Sequence, residues 1–120
     1  MEFRITPAKE SRVQDINMQN VPFGKYFTDH MLISIYANGT WGTPEIKPFQ
    51  PLSLSPSNAA IHYGQSIFEG IKAYRHADGS CHIFRPYDNY LRFNKSAERL
   101  QMPPVPEDIL DRKSTRLNSS

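Results

Sequence analysis

Two dipeptides suited to reversing a chain, Asn38-Gly39 and Asp78-Gly79, each stand between runs that favour extended backbone. This pairing restricts the fold of the 120-residue sequence more than any other feature. Asn, Asp and Gly tolerate the positive φ that tight hairpin turns require. Before the first turn, HMLISIY (His30 to Tyr36) is rich in β-branched and aromatic residues and predicts a strand. After it, Trp41 to Phe49 predicts a returning strand that carries Pro44 and Pro48. Proline cannot donate to a ladder, so this strand is expected at a sheet edge. Around the second turn, GIKAYR (Gly70 to Arg75) alternates Ile71, Ala73 and Arg75 against Lys72 and Tyr74, and SCHIFR (Ser80 to Arg85) returns as its partner.

Helical signals follow the second hairpin. Pro86 suits a first helical turn, where its missing N–H leaves no gap. Tyr90, Phe93, Ala97 and Leu100 recur at helical spacing, and Met102-Pro103-Pro104 ends the run. Pro106-Glu107-Asp108 opens a further helix. Residues 1–22 have weak periodicity and read as an extended N-terminal arm, while 51–60 reads as a loop. Hairpin strands first and helices afterwards predict an α+β class, a two-layer domain of antiparallel hairpins packed against helices over residues 23–110. No GxGxxG or P-loop pattern supports a nucleotide fold.

Charge narrows the partners. The formal net charge is +2. The last ten residues, DRKSTRLNSS (111–120), resemble the readthrough of a sequencing adapter; Arg112, Lys113 and Arg116 against Asp111 account for the whole excess. A neutral remainder without a basic stripe gives no footprint for nucleic acid. Cys81 is the single cysteine, so no intrachain disulfide is possible, and the four histidines lack metal-ligand spacing. No apolar run approaches membrane-spanning length, and MEFRITPAKES lacks the layout of a secretory signal. The expectation is a soluble, cytoplasmic protein with no metal and no membrane partner.

Candidate site residues cluster in HYGQSIFEGIKAYR (His62 to Arg75) and FRPYDNYLRF (Phe84 to Phe93). Arg92, about two turns into the predicted helix, is placed to aim a planar guanidinium at a phosphate or carboxylate. The plain alternative is a surface arginine paired with Asp88, four residues earlier. Gly64 and Gly70 permit close backbone approach. Tyr63 and Phe68 can wall an apolar pocket, although core packing explains each of them singly. Lys72 beside Glu69 suggests a Schiff-base nucleophile, but a lysine in a strand phase without a desolvating surround is more often exposed.

Three stretches carry a resemblance to a known family: FTDHML from Phe27, LSLSPSNAAIHYGQSIFEGIKAYR, and FRPYDNYLRFNKSAERLQMPPVP. Together they are similar to the N-terminal domain of branched-chain amino acid aminotransferases, class IV (fold-type IV) enzymes that use pyridoxal 5′-phosphate. The resemblance covers Phe23 to about Leu110. It implies that Arg92 grips the cofactor phosphate and that Phe68 and Gly70 line the pocket for the branched side chain. It further implies that Tyr63 reaches that pocket from the partner subunit of a homodimer. The catalytic Schiff-base lysine lies in a second domain in this family, and none of Lys9, Lys25, Lys47, Lys72, Lys95 or Lys113 stands in its context. The resemblance therefore implies transfer of an amino group between leucine, isoleucine or valine and 2-oxoglutarate in the full-length parent, with an inactive fragment here. Two alternatives stand beside it. One is a sister class IV enzyme, a D-amino acid transaminase or an aminodeoxychorismate lyase, which a substrate panel separates. The other is a short, non-catalytic binding or dimerisation module, which predicts a genuine stop after Ser120.

Overall fold

The computed structural model describes residues 2–110, so the segment read as adapter-encoded lies outside the described residues. The chain forms two compact units that divide between Ser53 and Leu54, inside the span expected to be one domain. Together they form a mixed α+β architecture with few helices and mostly antiparallel strand pairs.

In the first unit, β1 (Arg4–Ile5), β2 (His30–Ile33) and β5 (Glu45–Pro48) form a three-stranded sheet in the order β1-β5-β2. The β2–β5 pairing is antiparallel, with Leu32 opposite Ile46, and β1 joins β5 in parallel, with Ile5 opposite Ile46. The proline-flanked strand is thus central and not at an edge. The reason is positional. Pro48 closes the four-residue strand and Pro44 stands just before it, so both prolines need only accept. Pro44 does so from the Arg4 N–H at 2.9 Å, and Ile46 accepts from Thr6 at 2.8 Å. The expected N-terminal arm accordingly contributes a strand, and it also contains a single 3₁₀ turn at Val13–Asp15.

The Asn38-Gly39 turn joins a smaller hairpin, β3 (Tyr36–Ala37) with β4 (Thr40–Trp41). Asn38 at φ 52° and Gly39 at φ 80° are the two positive-φ residues that the dipeptide predicts. Extended structure breaks at Ser34 and Ile35, where Gly42 donates its N–H to the Ile35 carbonyl at 2.7 Å. A Cβ at Gly42 would meet that same oxygen at 3.2 Å, so glycine is what allows the chain to turn back this tightly.

The second unit starts with α1 (Ala59–Tyr63), which lies across the end of the predicted 51–60 loop. Asn58 caps it through a 2.8 Å bond from the Ala60 N–H, and Gly64 ends it at φ 64°. The second hairpin pairs β6 (Ala73–Arg75) with β7 (Cys81–Ile83), both shorter than expected. The long helix α2 (Pro86–Arg99) follows with Pro86 in its first turn, as the sequence predicts. It exits through Gln101 at φ 56°, with Met102 N–H bonded to the Ala97 carbonyl and Gln101 N–H to the Glu98 carbonyl, the two bonds of a Schellman closure. Residues 107–110 are helical, where Pro106-Glu107-Asp108 predicts a helix start. Ala97 on α2 and Ile109 are buried in this unit, as is Pro44 in the first.

Candidate functional site

Helix α2 organises the second unit by pinning the chain on either side of it. The Gln65 amide donates to the Leu100 carbonyl at 2.9 Å, fixing the segment after α1 to the helix end. Asn94 bonds both the N–H and the carbonyl of Val105, at 2.8 and 2.9 Å, and fixes the segment after the helix. Near the helix start, Asn89 donates Nδ2 to the Gly70 carbonyl at 3.1 Å and to Glu69 Oε2 at 2.8 Å. Residues 69 and 70 are therefore held against the helix face that carries Asn89 and, three residues on, Arg92.

Arg92 meets Glu69 edge to edge. Nε donates to Oε1 at 2.6 Å and Nη2 to Oε2 at 2.7 Å. The Glu69 side chain is only 11% exposed and the Arg92 side chain 68%. Bonding from Arg92 and then Asn89, reinforced by the nearby positive charge, holds the Glu69 carboxyl down at about 2, against an ordinary value of 4.5. The same carboxylate raises the Arg92 guanidinium. The alternative pairing of Arg92 with Asp88 does not form. Asp88 instead joins Arg85, three residues earlier, at 2.5 Å.

Gly70, Asn89 and Arg92 line an open cleft of about 680 Å³ together with Lys72, Arg85 and Asp88, and Tyr74 and Phe84 supply apolar wall. Counting the Glu69 carboxylate paired with Arg92, three cations stand against two carboxylates, an excess of one positive charge that favours an anionic occupant. A guanidinium has five N–H donors. Two of those on Arg92 go to Glu69, which leaves three, including the parallel pair on the Nη1/Nη2 edge. That edge matches the spacing of two phosphate oxygens. The donor set thus fits the phosphate of a coenzyme such as pyridoxal 5′-phosphate.

The structure brings Arg92 and Gly70 together, and it leaves Tyr63 and Phe68 out of the cleft. Tyr63, the last residue of α1, is 86% exposed, and Phe68 is 89% exposed. Lys72 lines the cleft as an exposed residue, and Glu69, its suggested companion, is engaged by Arg92 and Asn89. Asn89 was missed in the sequence reading, and so was the part that Glu69 plays. The available signal was the i, i+3 spacing of Asn89 and Arg92 on one helix face. Among the described residues no three His, Cys, Asp or Glu side chains gather as a metal site, and no helix is long and apolar enough to cross a membrane.

No family model matches the chain. Individual proteins do. It is 48% identical over 96 residues to branched-chain-amino-acid transaminase 1 of Bacillus subtilis, a match covering 79% of this chain and 27% of that protein. Over most of its own length the chain is similar to branched-chain aminotransferases. It is also 43% identical over 114 residues to the branched-chain-amino-acid aminotransferase of Mycolicibacterium smegmatis, covering 91% of this chain and 31% of that one. Against the cytosolic branched-chain-amino-acid aminotransferase of Saccharomyces cerevisiae it is 52% identical over 90 residues, covering 73% of this chain and 24% of that one. The chain thus spans between a quarter and a third of the length of these curated relatives.

Proposed function

We propose that this chain is the N-terminal, phosphate-gripping part of a pyridoxal 5′-phosphate-dependent enzyme that exchanges the amino group between branched-chain L-amino acids and 2-oxoglutarate. The observation that supports the reading is the Arg92 guanidinium, which Glu69 fixes along one edge and which lines the cleft with three N–H donors not used by Glu69. When bound, the coenzyme supplies the electron sink for the chemistry at the amino acid's α-carbon. The chain's own residues bind and orient. Arg92 holds the phosphate by paired, charge-assisted hydrogen bonds. Gly70, without a side chain, keeps the cleft beside it open for the substrate.

Phe68 and Tyr63 offer exposed rings to a pocket that is completed by more protein than this sequence spans. We assign Phe68 to the wall around the branched side chain and Tyr63 to the same wall of the partner in a cytoplasmic homodimer. The lysine that tethers the coenzyme is assigned to the part of the relatives' length that this sequence does not cover.

The product of the complete gene tests this directly. It is expected to transaminate leucine, isoleucine and valine with 2-oxoglutarate and to leave D-alanine untouched. Arg92→Ala is expected to weaken coenzyme retention by roughly a hundredfold, as loss of a bidentate charge-assisted contact predicts. Coenzyme retention unchanged in Arg92→Ala, or a preference for D-amino acids, would overturn the assignment.

A further inference from the structure

We infer that Glu69 is a positioning residue for phosphate binding. Its carboxylate occupies the Nε/Nη2 edge of Arg92, fixes the plane of the guanidinium and thereby aims the Nη1/Nη2 edge into the cleft. This rests on the reading of Arg92 as a phosphate ligand. It adds a second residue to that reading, one whose charge has the wrong sign to attract a phosphate.

The geometry supports it at three points. First, the two partners differ in setting. The Glu69 side chain is 11% exposed and the Arg92 side chain 68%, so the carboxylate is the anchored member and the guanidinium the presented one. An exposed arginine otherwise samples many rotamers, and ordering it on ligand binding weakens affinity. Second, Glu69 is itself held. Asn89 donates one amide nitrogen both to Glu69 Oε2 and to the neighbouring Gly70 carbonyl, which fixes the carboxylate relative to its own backbone. Third, the chain of support runs Gly70, Asn89, Glu69, Arg92, and both its ends line the cleft. A carboxylate serving only as a tether for the 64–72 segment would not need to take the Nε/Nη2 edge of Arg92 and leave the Nη1/Nη2 edge clear.

A positioning role and a purely electrostatic one predict opposite signs, and this makes the inference testable. Removing a negative charge beside an anion site strengthens anion binding if charge is all that matters. If Glu69 aims Arg92, the same change weakens it. The experiment uses the product of the complete gene, freed of coenzyme, and two probes, inorganic phosphate and pyridoxine 5′-phosphate, which has no aldehyde to react with lysines. Binding is followed by NMR, including the Arg92 Nε–H resonance.

Glu69→Gln is expected to weaken both probes by about tenfold, the size of one charge-assisted hydrogen bond. It is also expected to replace a protected Nε–H signal by an averaged, rapidly exchanging one, and Glu69→Asp is expected to restore part of each. Asn89→Ala, which leaves the ion pair intact, is expected to weaken binding by about threefold. It carries the test should Glu69→Gln fail to fold. Unchanged or tighter binding in folded Glu69→Gln, or unchanged binding in Asn89→Ala, overturns the inference. Arg92→Lys separates this from the parent reading. If it binds both probes as well as the unaltered chain does, the phosphate assignment itself fails. If it binds weakly while Glu69→Gln does not, only the positioning role fails.

Discussion

One arginine–carboxylate pair from each unit, Arg12–Asp29 and Arg92–Glu69, invites comparison, because the two serve different ends. In the first unit, Arg12 and Asp29 work on the backbone. Asp29 accepts the Arg12 backbone N–H at 2.9 Å and the Ser11 hydroxyl at 2.7 Å, while the Arg12 guanidinium donates to the Thr28 carbonyl at 2.7 Å. The side-chain contact between the two charges is the looser one, at 3.5 Å. These contacts fasten the N-terminal segment to the residues preceding β2. In the second unit, Arg92 gives two short bonds to Glu69 and also lines the cleft. The same pair of residue types is thus a strap in one place and a mount in the other. What distinguishes them is where the remaining guanidinium donors go, which no count of ion pairs would show.

The comparison can be broken most severely at the seat of the mount. Ala97 is 1% exposed on the helix that carries Arg92. Ala97→Asp places an unpaired carboxylate there, and the expected loss is on the order of 3–5 kcal/mol, read as a lowered thermal midpoint by far-ultraviolet circular dichroism. An unchanged midpoint would mean that the helix does not depend on that contact. A smaller loss is expected at α1. Asn58→Ala removes the cap on the Ala60 N–H and should cost about 1 kcal/mol in chemical denaturation.

Acid sharpens the contrast next. Glu69 titrates at about 2 in the fold against an ordinary 4.5. Its contribution is therefore complete above about 4.5 and fades as pH falls toward 2. Asp29, lowered chiefly by the Ser11 hydroxyl and the Arg12 N–H, loses its contribution in the same direction, below its ordinary 3.8. Side-chain carboxyl titration by NMR should show both midpoints depressed; a Glu69 midpoint near 4.5 would remove the mount. The smallest effect is expected from Asp29→Asn. Amide exchange at Arg12 should quicken by roughly threefold, with phosphate binding unchanged. A loss of phosphate binding in that variant would show that the strap and the mount are not separate devices.

Local chemistry made part of this molecule legible in advance. Asn38-Gly39 and Asp78-Gly79 turn where they should, because the requirement for positive φ is met within the dipeptide at Asn38, Gly39 and Gly79. Pro86 opens α2 because its ring presets the first turn. The central place of β5 was hidden, since it depends on Arg4 and Ile5 pairing some forty residues away in sequence. Helix α1 has both its caps in the sequence, Asn58 and Gly64, but Pro51 and Pro56 just before it carry the signature of a loop. At the site, Arg92 and Gly70 were visible as residue types suited to an anion. The Glu69 contact was not, because only the fold brings residues 69 and 92 side by side.

The way the chain leaves α2 has a consequence of its own. Gln101 adopts a mirror-hand backbone twist, φ 56°, that ordinary side chains resist by about 1 kcal/mol. The mirror-image form of glutamine would sit there at ease. The bend toward Ile109 is therefore kept slightly wound, and it is the helix terminus and the Asn94 latch, not the preference of the residue itself, that keep it from springing open.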